Sequence, residues 1–190
     1  MQYEVITPED IDEIIRVQET YLTKGKQIGD EIRKACEDRI FYGLKLVDEE
    51  SCEMLGFVSF TEGPSFTLPK PELEDHIREI AKDGRFFTGD CIYLSADLRG
   101  GGLGSELMAK GIEYIRSIGG RYCLGELWIY PDGITPAGHP LENTGYKEIF
   151  RKVYENFYTD LPKYGMSCPV CGENCVCGAD VRLIDLKTRK

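Results

Sequence analysis

No stretch of the chain reaches the roughly 18 uninterrupted apolar residues that a membrane-spanning helix requires. The opening residues Met1-Gln2-Tyr3-Glu4 carry no basic segment followed by an apolar run. Neither a membrane partner nor a secretory leader is therefore expected. Basic residues are also in short supply. Lys and Arg number 23 against 33 Asp and Glu, a formal net charge of -10. Phosphate attraction needs the opposite balance, so no nucleic-acid partner is expected. The acidity is compatible with a cationic acceptor such as an amine, although net charge speaks to solubility before function. Histidine is scarce, with only two in the chain, and the Gly-Lys-Ser or Gly-Lys-Thr of a Walker loop is absent.

What is present suits a folded domain. Hydrophobic residues make up 42% of the 190 positions and charged residues 29%, enough to bury a core. Thr7-Pro8-Glu9-Asp10 reads as a helix start, and Ile11, Ile14, Ile15 and Leu22 follow at helical spacing. A second helix is expected over 27–37, then strands over 41–47 and 54–61 joined by the polar turn Asp48-Glu49-Glu50-Ser51. Three prolines make 62–71 a loop, before a helix over 72–83 and a strand over 86–95. Beyond the glycines at 100–104 come an amphipathic helix, a strand over 121–130, a turn-rich loop over 131–140 and a strand-like segment over 146–158. The order predicts a mixed α/β domain.

The most informative unit is strand, Arg99-Gly100-Gly101-Gly102-Leu103-Gly104-Ser105, helix. Glycines let the backbone come close to a bulky anion, and the first helical turn adds unpaired N–H groups at its positive end. A dinucleotide fold would show G-x-G-x-x-G early in the chain with an acidic residue after it, and that pattern is missing. Arg99-x-x-Gly102-x-Gly104 resembles the pyrophosphate-binding signature of the GNAT superfamily of N-acetyltransferases, over about residues 1–158. The resemblance implies a central, mostly antiparallel sheet splayed between two middle strands and flanked by helices. It also implies acetyl-CoA as cosubstrate, with the backbone of Ile92, Tyr93 and Leu94 pairing with the pantetheine arm. The amides from Gly100 through Gly101, Gly102, Leu103 and Gly104 to Ser105 would hold the pyrophosphate.

The same resemblance implies direct attack by a primary amine, of a small molecule or a protein, in a ternary complex. In the family a tyrosine a few residues before a Gly-Phe or Gly-Tyr pair often acts as the acid. Here the pair is Gly145-Tyr146, and Leu141 stands at the tyrosine's position. Other groups are then candidates for proton transfer. Glu126 shares a strand face with Trp128 and Tyr130, where apolar neighbours would raise its pKa. His139 and Tyr130 are the remaining candidates. An acceptor pocket is expected from the loop 21–26 and from 131–140. The alternative is a non-catalytic acyl-CoA-binding protein whose tail engages a protein partner.

The eight cysteines fall into two groups. Cys36, Cys52, Cys91 and Cys123 are scattered, whereas Cys168, Cys171, Cys175 and Cys177 crowd together near the end. Without a leader, a reduced cytoplasmic setting is expected, in which clustered thiols favour a metal over disulfides. Cys168-Pro169-Val170-Cys171-Gly172 is a knuckle pattern, and four thiolates would complete a tetrahedral structural zinc site. Only three residues separate the two pairs, so three thiolates plus an outside ligand, a disulfide or an incidental cluster remain alternatives. These features divide the chain into a domain over 1–160 and a cysteine-rich, zinc-knuckle-like tail over 161–190 that ends in a strand over 180–186. A homodimer stays open.

Overall fold

The computed structural model describes residues 1–189. A seven-stranded mixed sheet runs in the order β1-β2-β3-β4-β5-β7-β6, with helices on both faces. In chain order these are β1 (Gln2–Val5), α1 (Ile11–Tyr21), α2 (Lys26–Glu37), β2 (Phe41–Val47), β3 (Met54–Glu62) and α3 (Pro71–Ile80). Then come β4 (Arg85–Leu94), α4 (Leu103–Ser117), β5 (Gly120–Ile129), α5 (Gly138–Glu142), β6 (Tyr146–Tyr154) and β7 (Gly178–Arg189). Every neighbouring pair is antiparallel except β4 and β5, which are parallel. Among the described residues, no helix is long and apolar enough to cross a membrane.

The local chemistry accounts for the elements. Thr7 and Asp10 form a capping box in which Thr7 N–H donates to Asp10 Oδ2 at 2.8 Å, starting the turn that leads into α1. Ile11, Ile14, Ile15 and Val17 of α1 bury against Phe57 of β3, with Cys91 and Tyr93 of β4 at the edge of that cluster. On the opposite face Leu107, Met108, Ile112 and Ile115 of α4 bury against Val58, Phe60 and Phe87. Pro140 lies inside α5, which is only five residues long. The strand expected over 146–158 stops at Tyr154, and Phe157 and Tyr158 turn inward to the core.

The cysteine-rich segment leads into the sheet interior. β7 lies between β5 and β6 and pairs with both, so the expected boundary near residue 160 falls between two hydrogen-bonded neighbours. The expected final strand over 180–186 is longer, Gly178–Arg189, and lies one strand in from the sheet edge. Two polar residues ride into the interior with it. Arg182, 4% exposed, donates to Asp180 Oδ2 through Nε (2.9 Å) and NH2 (2.6 Å), and to Glu142 of α5 at 2.7 Å. Arg151 of β6 completes the set with 3.0 and 2.8 Å bonds to the two Asp180 oxygens. The network satisfies charges that would otherwise be costly to bury and fastens α5 to the sheet.

α4 crosses β3 closely enough that Gly111 has no room for a side chain. A Cβ there would collide with Val58 Cγ1 and sit 3.1 Å from the Phe60 ring, both fully buried. Gly111→Val is expected to destabilise the protein by about 2 kcal/mol through overpacking. Denaturant unfolding monitored by circular dichroism checks this, and an unchanged midpoint would contradict the packing described.

Candidate active site

The parallel ladder between β4 and β5 runs from Arg85 opposite Gly120 to Gly89 opposite Gly125 and then stops. Beyond that point β4 stays paired with β3 alone, through Cys91, Ile92, Tyr93 and Leu94, and Glu126 to Ile129 of β5 stay paired with β7 alone. Two middle strands of one sheet therefore part company, and the edge of β4 facing the gap keeps backbone groups available to a ligand. A register shift in the β3–β4 ladder leaves Asp90 as the unpaired residue of a bulge just where the strands diverge.

The glycine turn closes the far end of β4. Gly100 and Gly102 hold φ of +85° and +86°, conformations that side chains with a Cβ adopt at a cost. The first helical bond of α4 is Glu106 N–H to Gly102 O, so the amides of Leu103, Gly104 and Ser105 precede the helical ladder. A Cβ placed at Gly100, Gly101, Gly102 or Gly104 would meet no atom within 4 Å. The glycines leave an open cradle at the positive end of a helix of 15 residues, the arrangement that receives a phosphate. Arg99 is exposed and donates from Nε to the Leu94 carbonyl at 2.9 Å, fixing the turn against the end of β4. The residues expected to bind the cofactor thus lie along one continuous path.

The expected catalytic residues are not gathered at one point. Glu126 is on the sheet face away from α4, where its Oε2 accepts from Thr67 N–H at 3.0 Å. Its Oε1 is enclosed without a hydrogen-bond partner, next to the Tyr158 hydroxyl, which is likewise unpartnered. Burial raises the Glu126 pKa, opposed by Tyr158 and Thr67. Trp128 stacks on Tyr158 with ring centroids 3.7 Å apart, sealing that side. Tyr130 follows at the end of β5, half-buried, its phenol pushed up by burial. His139 is exposed on α5 with Nε2 3.2 Å from Asn143 Nδ2, and that amide donates onward to Ser105 Oγ at 3.2 Å. His139 therefore belongs to the pyrophosphate end. Leu141 is 6% exposed and packs into the α4 side of the core.

Asp90 was not among the residues expected from sequence. It is an exposed residue directly after Gly89, where the ladder between β4 and β5 ends. Desolvation by the surrounding protein atoms raises its pKa to about 7, opposed by the 2.8 Å bond from Thr61 Oγ1 and reinforced by Glu31 of α2. The available signal was the one charged residue in the run from Phe86 to Leu94.

The four tail thiols converge. Cys168, Cys171, Cys175 and Cys177 place their sulfurs within 4.8 Å of one another, the one such group of possible metal ligands among the described residues. Tetrahedral thiolate ligands at about 2.3 Å from zinc would be about 3.8 Å apart. The Cys168–Cys177 and Cys171–Cys177 separations are 3.8 and 3.6 Å. The Val170 and Cys171 amides point at Cys168 Sγ, each at 3.4 Å, and Gly172 turns at φ +68° to pair with Cys168. The donor set and spacing fit one zinc ion.

Comparison with known proteins agrees with this geometry. No curated protein is significantly similar in sequence. Among solved structures, Arabidopsis thaliana NAA60 in complex with acetyl-CoA superposes with a TM-score of 0.63 at 14% identity, covering 96% of each chain. An N-acetyltransferase from Staphylococcus aureus Mu50 gives 0.60 at 17% identity, over 98% of this chain and 99% of that one. Arylalkylamine N-acetyltransferase 2 from Aedes aegypti gives 0.62 at 9%, over 97% and 98%. At these identities the likeness is one of fold. The sequence model of the Acetyltransferase (GNAT) family matches residues 10–138, most of the chain, and with the splayed sheet and the glycine cradle it makes this protein a member of the GNAT acetyltransferase family.

Proposed function

We propose that the chain transfers an acetyl group from acetyl-CoA to a primary amine that enters the gap between β4 and β5. One observation carries the reading: the ladder between those strands ends at Gly89 and Gly125, and the open edge of β4 runs straight into the glycine cradle at the head of α4. Bound there, the thioester supplies an acyl carbon activated by a thiol leaving group.

The protein's own groups then have distinct tasks. Ile92, Tyr93 and Leu94 offer backbone to the pantetheine arm, and the amides from Gly100 to Ser105 hold the pyrophosphate. Asp90 is the better base than Glu126, because its carboxylate is accessible and titrates near neutrality, whereas both Glu126 oxygens are enclosed or engaged. It takes a proton from the ammonium form of the acceptor, directly or through water. The free amine adds to the acyl carbon, the carbon–sulfur bond breaks, and Tyr130 at the end of β5 protonates the departing thiolate. Tyr130 recovers its proton from the nitrogen of the new amide, while the proton taken by Asp90 passes to water. Glu126 positions the 62–70 loop through Thr67. His139, with Asn143, supports Ser105 at the cradle. The four tail thiolates hold one zinc ion in a closed structural site with no position left for substrate.

The packing of Leu141 into the core, where the family's tyrosine would stand, favours a second reading: a protein that binds acyl-CoA without turning it over. An amine panel separates the two. Steady CoA release with one amine class supports the enzyme, and saturable binding without turnover supports the sensor.

Gly104 gives the cleaner test of the cofactor seat. It is in the first turn of α4, its Cβ position is open, and a carboxylate there complements the helix dipole. Gly104→Glu is expected to abolish acetyl-CoA binding in calorimetric titration while leaving the melting temperature unchanged or slightly higher. Undiminished binding would refute the seat.

The base is tested by pH. Ionised Asp90 is the active form, so kcat should rise with pH through about 7. Asp90→Asn should remove that limb and lower kcat about 100-fold. A limb that survives in Asp90→Asn but vanishes in Glu126→Gln would transfer the role to Glu126.

A further inference from the structure

The loop between α1 and α2 spans the gap and is held at both ends. On the β4 side Tyr21, the last residue of α1, stacks on Tyr93 with ring centroids 5.3 Å apart. On the β5 side Lys24 forms a reciprocal backbone pair with Ser167, its N–H donating to Ser167 O at 3.1 Å and its O accepting from Ser167 N–H at 2.9 Å. Gly25 approaches so closely that a Cβ would be 2.8 Å from Met166 Cγ and 3.1 Å from the Gly165 carbonyl. Thr23 between these anchors is buried.

Ser167 is immediately followed by Cys168, the first of the four thiols. Met166, Cys168, Cys175 and Cys177 are buried in one apolar cluster, against which Ile28 of α2, Trp128 of β5 and Tyr130 just beyond it pack. The segment 165–177 contains no long helix or strand of its own. Two short backbone pairs, Lys24 with Ser167 and Cys168 with Gly172, its buried apolar residues and the convergence of the four thiols together fix its shape. A cation bound by all four would tie the sulfurs into one unit and make it the most rigid feature of the segment.

We propose that a zinc ion bound by Cys168, Cys171, Cys175 and Cys177 is the abutment that holds the 22–25 loop and the start of α2 across the acceptor side of the gap, so that metal occupancy controls acceptor binding and leaves the cofactor seat alone. The functional meaning rests on the acyl-transfer reading above. The structural coupling does not. The cradle at 100–105 is joined to β4 and α4, and its turn is fixed by Arg99 on Leu94, with no bond to the 165–177 segment. The loop, by contrast, has its β5-side anchor one residue from a ligand. Coupling of this kind is reciprocal: whatever metal does for the loop, detaching the loop does to the metal.

The experiment is hydrogen exchange on the full-length protein, with zinc content measured by elemental mass spectrometry and acetyl-CoA affinity by calorimetry. The wild type is expected to carry one zinc per chain. Removing it with a chelator, or through Cys168→Ser with Cys177→Ser, should speed exchange over 22–28 about tenfold or more, as local opening does. Exchange over 86–94 and 103–117 should stay as it was, and the acetyl-CoA dissociation constant should move less than about twofold, well under the 1.4 kcal/mol of a tenfold change. Gly25→Val keeps all four thiols and serves if the cysteine variants fail to fold. It should show the same loop exchange with zinc present, and should yield that zinc to a chromogenic chelator faster than wild type. Loop exchange that ignores the metal, exchange that rises equally over the whole sheet, or a protein that takes no zinc would each overturn the proposal. Failure of the metal-loaded protein to bind acetyl-CoA would instead count against the acyl-transfer reading, with the loop measurement still standing.

Discussion

The end of the parallel ladder at Gly89 and Gly125 is the constraint on which the rest of the structure depends. Backbone groups leaving a sheet interior must find other partners or face water. β3 satisfies one edge of β4, and β7 satisfies the outer edge of β5 over Glu126 to Ile129. The two inner edges remain for a ligand. The bulge at Asp90 turns β4 aside where the pairing stops, and the glycine turn then sets the amide end of α4 at the exit. Because the gap is formed by backbone geometry, its shape survives most side-chain changes around it, and the side chains that border it are free to set the chemistry.

β7 backs the second wall of the gap, β5. The strand arrives late in the chain, after the cysteine segment, and still takes an interior position between β5 and β6. Its buried Asp180 and Arg182 reach Arg151 of β6 and Glu142 of α5, so α5, with His139 and Asn143, is held beside the first turn of α4. The cysteine segment is thereby fixed at both ends: Phe157 and Tyr158 anchor it in the core on one side, and β7 anchors it on the other. The four thiols thus converge in a stretch of chain that joins the core at Tyr158 to β7.

The sequence made local features legible. The glycine turn, the helix start at Thr7 to Asp10 and the cysteine knuckle each depend on a few adjacent residues, and each was readable from residue type and spacing. The splay was foreseen through family resemblance rather than through the residues that cause it. What stayed hidden depends on long-range pairing. Glu126 reads as a strand carboxylate beside Trp128, but its enclosure comes from Thr67, 59 residues earlier, and from Tyr158. Asp90 reads as an internal residue of the strand over 86–95, and only its register against Ser59 and Phe60 reveals the bulge. The interior position of β7 and the pairing of Lys24 with Ser167 join segments far apart in the chain, which no local periodicity encodes.

The central claim is that acetyl-CoA lies along the open edge of β4 and over the head of α4. Hydrogen exchange of the wild-type protein with and without saturating acetyl-CoA tests it most directly. Protection concentrated at 92–94 and 100–105, with β2 and β6 unaffected, is the predicted result. Protection confined to another surface, such as the roughly 770 Å³ cavity bordered by Tyr3, Leu44, Lys110 and Tyr146, would contradict the account.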